Sequence, residues 1–384
     1  MAASDPIAPP RRALAYLEEE LEALQRQDLL RTASHSGDAL VLCANDYLGY
    51  AREPFDASDT LVRAHASGAG ASRLVSGEYE AHAVLERTLA DWVGLEDALV
   101  FSSGYAANVG TLAALATSDD VIVSDALNHA SIIDGCRLSR ARVTVTPHLD
   151  LGAVERALAA SQSARRRFVV TEAYFSMDGD VPALAELRRL CDSFDAALVV
   201  DEAHSLGIVG PRGAGACKEA GIVPDVLVGT LGKSVGLQGA FVAGAKPLKA
   251  WLWNRARSFV FSTGVSPWLS AMTERRVRRV IADDAGRARL DAIVGRVRAE
   301  LAAAGAPLVP SQGPIVPWFV GDQRRAIDLR DRLLDQGLFV QAIRPPTVPV
   351  GTSRLRITLH ALLSDADVAF TVERLLAVLP LGGR

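Results

Sequence analysis

Short apolar runs alternate with helix-like segments from residue 97 onward, and no other feature of the sequence restricts the fold as strongly. The apolar runs occupy residues 98–101, 121–124, 143–146, 168–171, 197–201 and 226–228. Helical patterns lie between them at 105–116, 150–160 and 184–194, and another helix is expected to begin near His129. Strands that are apolar along their length are typical of a mostly parallel sheet with helices on both faces. The sequence therefore predicts an α/β fold.

Polar side chains lie at or just past the ends of five of these runs: Ser102, Asp125, Glu172, Asp201 and Thr230. The carboxyl ends of parallel strands lie along one edge of a sheet, and ligands bind at that edge. We therefore expect these five residues to meet at one shared site.

Lys233 follows the run at 226–228, with Gly232 before it and Gly236 after it. Only four of the 41 lysine and arginine residues in the chain are lysines. A lysine in a loop is most often a solvated surface charge. Lysine can lose its proton when desolvated, whereas arginine cannot, and only a neutral amine forms a Schiff base. The flanking glycines and the nearby acidic motif around Asp201 favour this second role.

Asp201 ends an apolar run, and His204 follows three residues later. Taken alone, Asp201 could cap a turn and His204 could be a core histidine. Beside a buried lysine they fit a pyridoxal phosphate enzyme, in which a carboxylate keeps the pyridine nitrogen protonated so that the ring accepts electrons. The phosphate would lie at Gly104 and Tyr105, where backbone N–H groups open a helix, with Thr230 as a second contact.

Composition argues against several other classes of protein. The net charge of −4 gives no basic field for nucleic acid. No apolar run reaches the roughly 18 residues of a membrane span, and the N-terminus has no secretory signal pattern. The four cysteines are far apart, so we expect reduced thiols in a cytoplasmic enzyme.

The sequence fits two other kinds of site, a nucleotide-binding loop and a zinc site, poorly. The stretch Gly229-Thr-Leu-Gly-Lys-Ser234 is superficially similar to the phosphate loop of a nucleotidase. That motif requires glycine at position 227, where this chain has Leu227 inside the apolar run. The seven histidines show no zinc-binding spacing, so no metal is expected.

The two ends of the chain have different patterns. An amphipathic helix is expected at 13–30, and residues 247–298 are helical and rich in arginine. Beyond them, strands at 315–320, 338–343 and 354–359 and helices at 324–336 and 364–379 indicate a small α+β domain with a one-sided sheet. We predict an N-terminal segment at 1–45, a large cofactor-binding domain at 46–250 and a C-terminal domain at 251–384.

Six motifs together resemble the α-oxoamine synthases, a family of fold-type I pyridoxal phosphate enzymes that condense an amino acid with an acyl-CoA. The resemblance runs in order from about Leu14 to the C-terminus. The motifs are Asn45-Asp-Tyr-Leu-Gly49, Gly70-Ala-Ser-Arg-Leu-Val-Ser-Gly77, Asn128-His-Ala-Ser131, Thr171-Glu-Ala-Tyr-Phe-Ser-Met-Asp-Gly179, Val200-Asp-Glu-Ala-His204 and Thr230-Leu-Gly-Lys233.

The resemblance implies a role for each matching residue. Lys233 would hold pyridoxal 5'-phosphate and later move the α-proton, Asp201 would pair with the ring nitrogen, and His204 would contact the phenolic oxygen. His129 would stack on the ring. The remaining cofactor contacts implied are Ser176 near the ring oxygen, Gly104, Tyr105 and Thr230 at the phosphate, and Ser262 and Thr263 at the phosphate of a partner subunit.

The resemblance also implies the substrates. The stretch Ala342-Ile-Arg-Pro-Pro-Thr-Val-Pro349 and the following Gly351–Thr358 segment look most similar to members that join L-alanine to a pimeloyl thioester. Glycine-using members, such as a glycine C-acetyltransferase, are the alternative. Arg344 would bind the amino acid carboxylate through its guanidinium fork. Further substrate contacts implied are Arg31, Asn45, Glu172 and Arg356. A homodimer with the site at its interface is also expected.

Overall fold

A computed structural model describes residues 12–14, 16–33, 35–54 and 60–379. Within these residues the strands are β1 Leu40–Val41, β2 Asp97–Phe101, β3 Val121–Asp125, β4 Arg142–Thr146, β5 Arg167–Glu172, β6 Ala196–Asp201, β7 Val226–Thr230, β8 Ala240–Gly244, β9 Ile315–Gly321, β10 Leu338–Phe339, β11 Gln341–Ile343 and β12 Ser353–Thr358. The α-helices are α1 Tyr16–Arg26, α2 Thr60–Ala64, α3 Glu80–Val93, α4 Gly104–Leu115, α5 Ala130–Ser139, α6 Leu151–Ala159, α7 Leu184–Ser193, α8 Ala216–Glu219, α9 Lys246–Arg255, α10 Arg257–Val260, α11 Pro267–Ala282, α12 Asp284–Ala303, α13 Gln323–Asp335 and α14 Asp365–Ala377.

Seven strands form the central sheet in the order β2-β8-β7-β6-β5-β3-β4. Strands β3 to β7 pair in parallel, and β8 is antiparallel to both of its neighbours. The predicted α/β fold with a mostly parallel sheet is therefore confirmed. The helices α2, α3 and α8 and the strand β8 had no counterpart among the predictions.

Helices bury both faces of this sheet, as the apolar runs predict. On one face Leu198 and Val200 of β6 share a core cluster with Leu158 of α6 and Leu187 of α7. On the other face Val199 shares a cluster with the side chains of α4 and α5. Successive residues of a strand point to opposite faces, so a strand buried on both sides needs apolar residues at every position.

A second, antiparallel sheet has the order β11-β12-β9. The single strand predicted at 338–343 is wrong, because Leu338–Phe339 pairs with β1 whereas Gln341–Ile343 pairs with β12. Val340 lies between the two short strands and is fully buried. The apolar run is continuous because the whole segment is buried, although its hydrogen bonds change partner in the middle.

The polar face of β12 differs from the expectation of a one-sided sheet. Arg354, Arg356 and Thr358 do lie on one face of the strand, but every residue of β12 is buried. That face packs against the segments that hold Asn45 and Ser176, which accept hydrogen bonds from Arg356. The alternation of polar and apolar residues along β12 therefore reflects a polar face turned toward the segments that hold Asn45 and Ser176, and not a face exposed to water.

The N-terminal helix is shorter than predicted, with α1 ending at Arg26. Asp28 has a φ of 55°, in the left-handed region, which does not continue a right-handed helix. No residue of α1 is buried, and Leu17, Leu21 and Leu24 are exposed. The domain boundaries at residues 45 and 250 stay a prediction.

Candidate active site

The carboxyl ends of three adjacent strands bring the candidate acids together. Glu172 ends β5 and Asp201 ends β6, and the two residues are register partners. Asp201 also pairs with Val228 of β7, two residues before Thr230. Both carboxylates are buried. The end of the parallel part of the sheet thus holds two closely spaced acids that need cationic or hydrogen-bonding partners.

Lys233 lies in a tight turn between β7 and β8. The Leu231 N–H donates to the Gly239 carbonyl over 2.9 Å, and the Gly236 N–H donates to the Lys233 carbonyl over 2.8 Å. These bonds fix the backbone that carries the lysine. Its Nζ lies 2.6 Å from His204 Nε2. Burial lowers the pKa of Lys233 to about 8, although the charges of Asp201 and Glu172 act in the opposite direction.

His204 is buried in the segment that follows β6, and its second ring nitrogen meets a residue that the sequence did not single out. Its Nδ1 lies 2.6 Å from the hydroxyl oxygen of Tyr47, which is fully buried. Burial and the nearby charge of Lys233 hold the pKa of His204 well below its ordinary value, so the ring is neutral. Tyr47, His204 and Lys233 therefore form one continuous chain of contacts.

Asp201 is held by two hydrogen bonds to neutral groups. Its Oδ2 accepts from Asn108 Nδ2 over 2.7 Å, and its Oδ1 accepts from the Ala203 N–H over 2.9 Å. Asn108 also donates to Ser131. No lysine, arginine or histidine of the described residues forms an ion pair with Asp201. A buried carboxylate without a counter-ion is costly, so this site suits a cationic ligand group.

Glu172 and His129 meet at the start of α5. The backbone N–H of His129 donates to Glu172 Oε1 over 2.6 Å, and the imidazole Nδ1 lies 2.7 Å from Ser131 Oγ. Burial and the charge of Asp201 raise the pKa of Glu172. The His129 side chain is exposed in the single chain, so its ring is accessible from the open side of the site.

The start of α4 and the end of β7 form the expected phosphate cradle. Ser103 caps α4, so the N–H groups of Gly104 and Tyr105 are the first of the helix and have no partner within it. A Cβ atom at position 104 would lie 4.0 Å from Thr230 Oγ1, which places Thr230 beside this helix start. The Tyr105 hydroxyl points away and donates to Asp134.

Ser262 and Thr263 lie in the loop after α10. They line a small cavity together with Ser102, which precedes the cap of α4. The loop is anchored by the Gly264 N–H, which donates to the Ala71 carbonyl over 2.9 Å. Both hydroxyl residues are therefore close to the start of α4 within one chain.

Arg356 reaches the surroundings of Lys233 and His204 from the second sheet. Its Nη2 donates to Asn45 Oδ1 over 2.9 Å, and its Nε donates to the Ser176 carbonyl over 2.6 Å. Arg356 is one of the charges that act on the pKa values of Lys233, His204 and Tyr47. It is therefore a buried cation within electrostatic range of the lysine and the histidine.

Arg344 and Arg31 occupy a different place. They line a cavity of about 600 Å³ with Arg324 and Arg330. Arg344 donates to the carbonyls of Asp28 and Leu30, and Arg31 donates to Thr347 Oγ1 over 3.1 Å. Among the described residues, no hydrogen bond or ion pair joins these two arginines to Lys233 or Asp201.

Three residues of the site had no predicted role: Tyr47, Asn108 and Ser131. Tyr47 and Ser131 belong to motifs already noted, Asn108 lies within the helix predicted at 105–116, and all three are buried and polar. Asn108 lies four residues after Gly104 on α4, so both are on one helix face. The sequence signal that could have identified Asn108 was its position as a polar residue one turn inside an otherwise apolar helix.

The residues present fit pyridoxal phosphate. Asp201 is a buried carboxylate without a counter-ion, Lys233 is an amine with a lowered pKa, and a helix start for the phosphate lies on the same side of the sheet. The turn after β7 continues into β8 and not into a helix, which does not fit a nucleotidase loop. In the part of the chain that the structure describes, no group of three or more metal-binding side chains occurs, and no helix could cross a membrane.

Comparisons with known proteins agree with this fit. The family model for aminotransferase class I and II matches residues 37–375. An 8-amino-7-oxononanoate synthase of Aromatoleum aromaticum is 48% identical over 340 residues, covering 86% of each chain. One from Marinobacter nauticus is 45% identical over 374 residues, covering 96% of this chain and 93% of that protein.

Solved structures of the same class superimpose on this chain along most of its length. Serine palmitoyltransferase of Sphingomonas wittichii has a TM-score of 0.89 at 30% identity and covers 98% of this chain and 99% of its own. The S. paucimobilis enzyme, solved with PLP bound to myriocin, has a TM-score of 0.87 at 28% identity, covering 95% and 97%. An 8-amino-7-oxononanoate synthase of Francisella tularensis has a TM-score of 0.75 at 25% identity, covering 90% and 99%. The chain therefore belongs to the aminotransferase class I and II family and, within it, to the pyridoxal phosphate-dependent 8-amino-7-oxononanoate synthases.

Proposed function

We propose that this enzyme condenses L-alanine with a pimeloyl thioester and releases 8-amino-7-oxononanoate, CO2 and the thiol, a step of biotin synthesis. The observation that carries the proposal is a lysine with a lowered pKa, Lys233, within electrostatic range of both Asp201 and Arg356. Asp201 is a buried carboxylate that forms no salt bridge with a described residue. Lys233 is an amine that can move a proton, Asp201 is an acid that can stabilise a cationic ring, and Arg356 is a cation that can bind a carboxylate.

Each cofactor contact has a candidate residue in the site. Lys233 would hold the cofactor covalently, Asp201 would face the ring nitrogen, His204 the phenolic oxygen, and His129 the ring face. Gly104, Tyr105 and Thr230 would bind the phosphate, and Ser176 would lie near the ring oxygen. When bound, pyridoxal phosphate supplies an electron sink that stabilises negative charge at the α-carbon of the amino acid.

The chain's own residues would orient L-alanine and move its protons. Arg356 binds the carboxylate with the help of Asn45, because its buried guanidinium donates only to neutral groups among the described residues and so keeps an unpaired charge for a carboxylate. Lys233 Nζ takes the α-proton once its amine is neutral. Glu172, with a raised pKa, stays close to the reacting atoms as a group able to hold a proton.

The bond changes are balanced without a further reactant. The α-carbon loses its proton to Lys233 and forms a bond to the pimeloyl carbonyl carbon, and the carbon–sulfur bond breaks to release the thiolate. The bond from the α-carbon to the carboxylate then breaks to release CO2, and a proton returns to the α-carbon. Holding the carboxylate at Arg356 keeps it fixed until it leaves.

Arg31 and Arg344 are proposed as substrate contacts on the acyl side. They line the arginine-rich cavity together with Arg324 and Arg330. Arg344 was expected to bind the amino acid carboxylate, but its hydrogen bonds hold the segment at 28–30, and Arg356 is closer to the lysine. We therefore assign the carboxylate of L-alanine to Arg356 and anionic groups of the acyl donor to the cavity.

The proposal includes a homodimer in the cytoplasm. Ser262 and Thr263 would reach the phosphate of the partner subunit. All four cysteines are free thiols, in keeping with a reducing compartment.

The proposal is tested by measuring thiol release from purified enzyme. We expect turnover with L-alanine and pimeloyl-CoA, and at least about tenfold lower kcat/KM with glycine or with acetyl-CoA, since each 1.4 kcal/mol of transition-state binding is tenfold. Higher kcat/KM with glycine and acetyl-CoA would instead indicate a glycine C-acetyltransferase.

Lys233→Ala provides the matched test of the cofactor site. After borohydride treatment, the wild type should retain one cofactor mass per chain and Lys233→Ala should retain none. Lys246→Ala, which alters an exposed lysine on α9, should label like the wild type. Labelling of Lys233→Ala would refute the assignment.

A further inference from the structure

Tyr47 is a buried group of the active site that has no assigned part in binding or chemistry. It lies in the turn after β1, its side chain has no exposed surface, and its hydroxyl oxygen is 2.6 Å from His204 Nδ1. On the far side of the same imidazole, Nε2 is 2.6 Å from Lys233 Nζ. Tyr47 is therefore connected to the lysine through the histidine ring.

The donors and acceptors available on Tyr47, His204 and Arg356 decide which atom donates in the hydrogen bond between Tyr47 and His204. Burial raises the pKa of Tyr47 to about 12, so the hydroxyl keeps its hydrogen at neutral pH, although a hydrogen bond and the charge from Arg356 act against this shift. Arg356 can only donate. The tyrosine oxygen therefore accepts from Arg356 and offers its hydrogen to His204 Nδ1. A neutral imidazole that accepts at Nδ1 carries its own hydrogen at Nε2.

We propose that Tyr47 is a positioning residue that fixes the His204 tautomer in the holoenzyme, where Lys233 holds the cofactor and is no longer an ammonium donor to Nε2, so that the Nε2 hydrogen points toward the phenolic oxygen of the bound cofactor. The inference rests on pyridoxal phosphate as cofactor and not on the identity of the substrates. It can therefore fail while the proposed reaction stands, and the reverse is also true.

The surroundings of His204 support a neutral ring that needs such a partner. Burial lowers the pKa of His204, and the electrostatic effects of Lys233, Arg356 and His129 lower it further. The ring of Tyr174 lies 6.4 Å away in a stacked arrangement, but the Tyr174 hydroxyl donates to the Gln312 carbonyl and not to His204. Among the described residues, Tyr47 is thus the side chain whose hydrogen bond determines whether His204 Nδ1 carries a hydrogen.

The wild-type holoenzyme provides the first test, by ¹⁵N NMR of histidine-labelled protein, with His204→Asn used to assign the signal. We expect Nε2 to carry the hydrogen and Nδ1 to be unprotonated and hydrogen-bonded. A protonated Nδ1 would overturn the proposal, and this measurement does not depend on the folding of any Tyr47 variant.

Tyr47→Phe provides the second test, because it removes the hydroxyl and keeps the ring. A weaker donor at Nε2 stabilises the phenolate oxygen less, so the visible band of the bound cofactor should titrate at a pH about 0.5 to 1 unit higher. Tyr174→Phe is the matched control, since it removes a buried hydroxyl from another ring beside the same histidine. It should leave the titration unchanged.

The two variants together distinguish positioning from packing. An unchanged titration in Tyr47→Phe would refute the proposal. An equal shift in both variants would also refute it, because general repacking around His204 would then explain the effect.

Discussion

Two arginines that look equivalent in the sequence have different surroundings in the structure. Arg356 is buried and donates to Asn45 and Ser176, beside the lysine and histidine. Arg344 lies in the arginine-rich cavity, where its pKa is lowered by burial and by the nearby charges of Arg330 and Arg31. Like charges held close together favour an anionic ligand. The two sites therefore suit two different anionic groups of the two substrates.

Kinetics of single variants should separate these sites. Arg356→Lys keeps the charge but loses the planar fork, so KM for L-alanine should rise about 10- to 100-fold, as expected for loss of charge-assisted hydrogen bonds. Arg344→Ala should leave that KM within about twofold and raise KM for the pimeloyl thioester. Arg31→Ala, at an exposed position, should do the same without disturbing the segment at 28–30. The opposite pattern would place the amino acid carboxylate at Arg344.

At the scale of secondary structure elements, the central sheet was predictable and the second sheet was only partly so. Strands such as β3 and β6 are apolar throughout because both of their faces are covered, and this pattern is visible in the sequence. The division of residues 338–343 into β10 and β11 was not visible in the sequence. A buried residue such as Val340 is apolar whichever strand its neighbours pair with. The acids at strand ends could be located, whereas Tyr47 could not, because its partner His204 is 157 residues away.

The turn that carries Lys233 depends on Gly236. Its φ is 72°, and a Cβ atom there would lie 2.5 Å from the Ala51 nitrogen and 2.8 Å from the Tyr50 carbonyl carbon. Left-handed backbone costs a non-glycine residue roughly 1–2 kcal/mol, and overpacking against backbone adds about 1–3 kcal/mol. Gly236→Ala should therefore lower the free energy of unfolding of the cofactor-free protein by about 2–5 kcal/mol, as measured by urea denaturation.

Gly295→Ala is the control for this prediction. Gly295 lies within α12, and a Cβ atom there would have no neighbour within 4 Å. Alanine is the better helix former, so this change should raise the free energy of unfolding by about 0.5–1 kcal/mol. If both variants changed stability in the same direction and by the same amount, the fit of the lysine turn against residues 50–51 would have no energetic role.

At the scale of the whole molecule, one part of the surface exposes a cluster of large apolar side chains. Leu74, Val75 and Phe261 are exposed large apolar residues, with Val75 at 79% and Phe261 at 72% exposure. Their two loops are joined by the hydrogen bond from Gly264 to Ala71. We call these three residues the apolar edge. Ser262, a proposed contact to the partner's phosphate, directly follows Phe261, so the apolar edge adjoins residues that the proposed homodimer would bring to a second active site.

The apolar edge should therefore control both assembly and cofactor retention. Light scattering of the wild type should give twice the mass of one chain, and the double variant Val75→Asp and Phe261→Asp should give one chain mass, since buried unpaired carboxylates oppose association. Because Ser262 and Thr263 would then reach no second phosphate, the Kd for pyridoxal phosphate should rise at least about tenfold. Val223→Asp alters another exposed valine, at 66% exposure, and should change neither quantity. A dimeric double variant would remove the apolar edge from the interface, and a monomer that binds the cofactor as tightly as the wild type would show that each chain completes its own phosphate site.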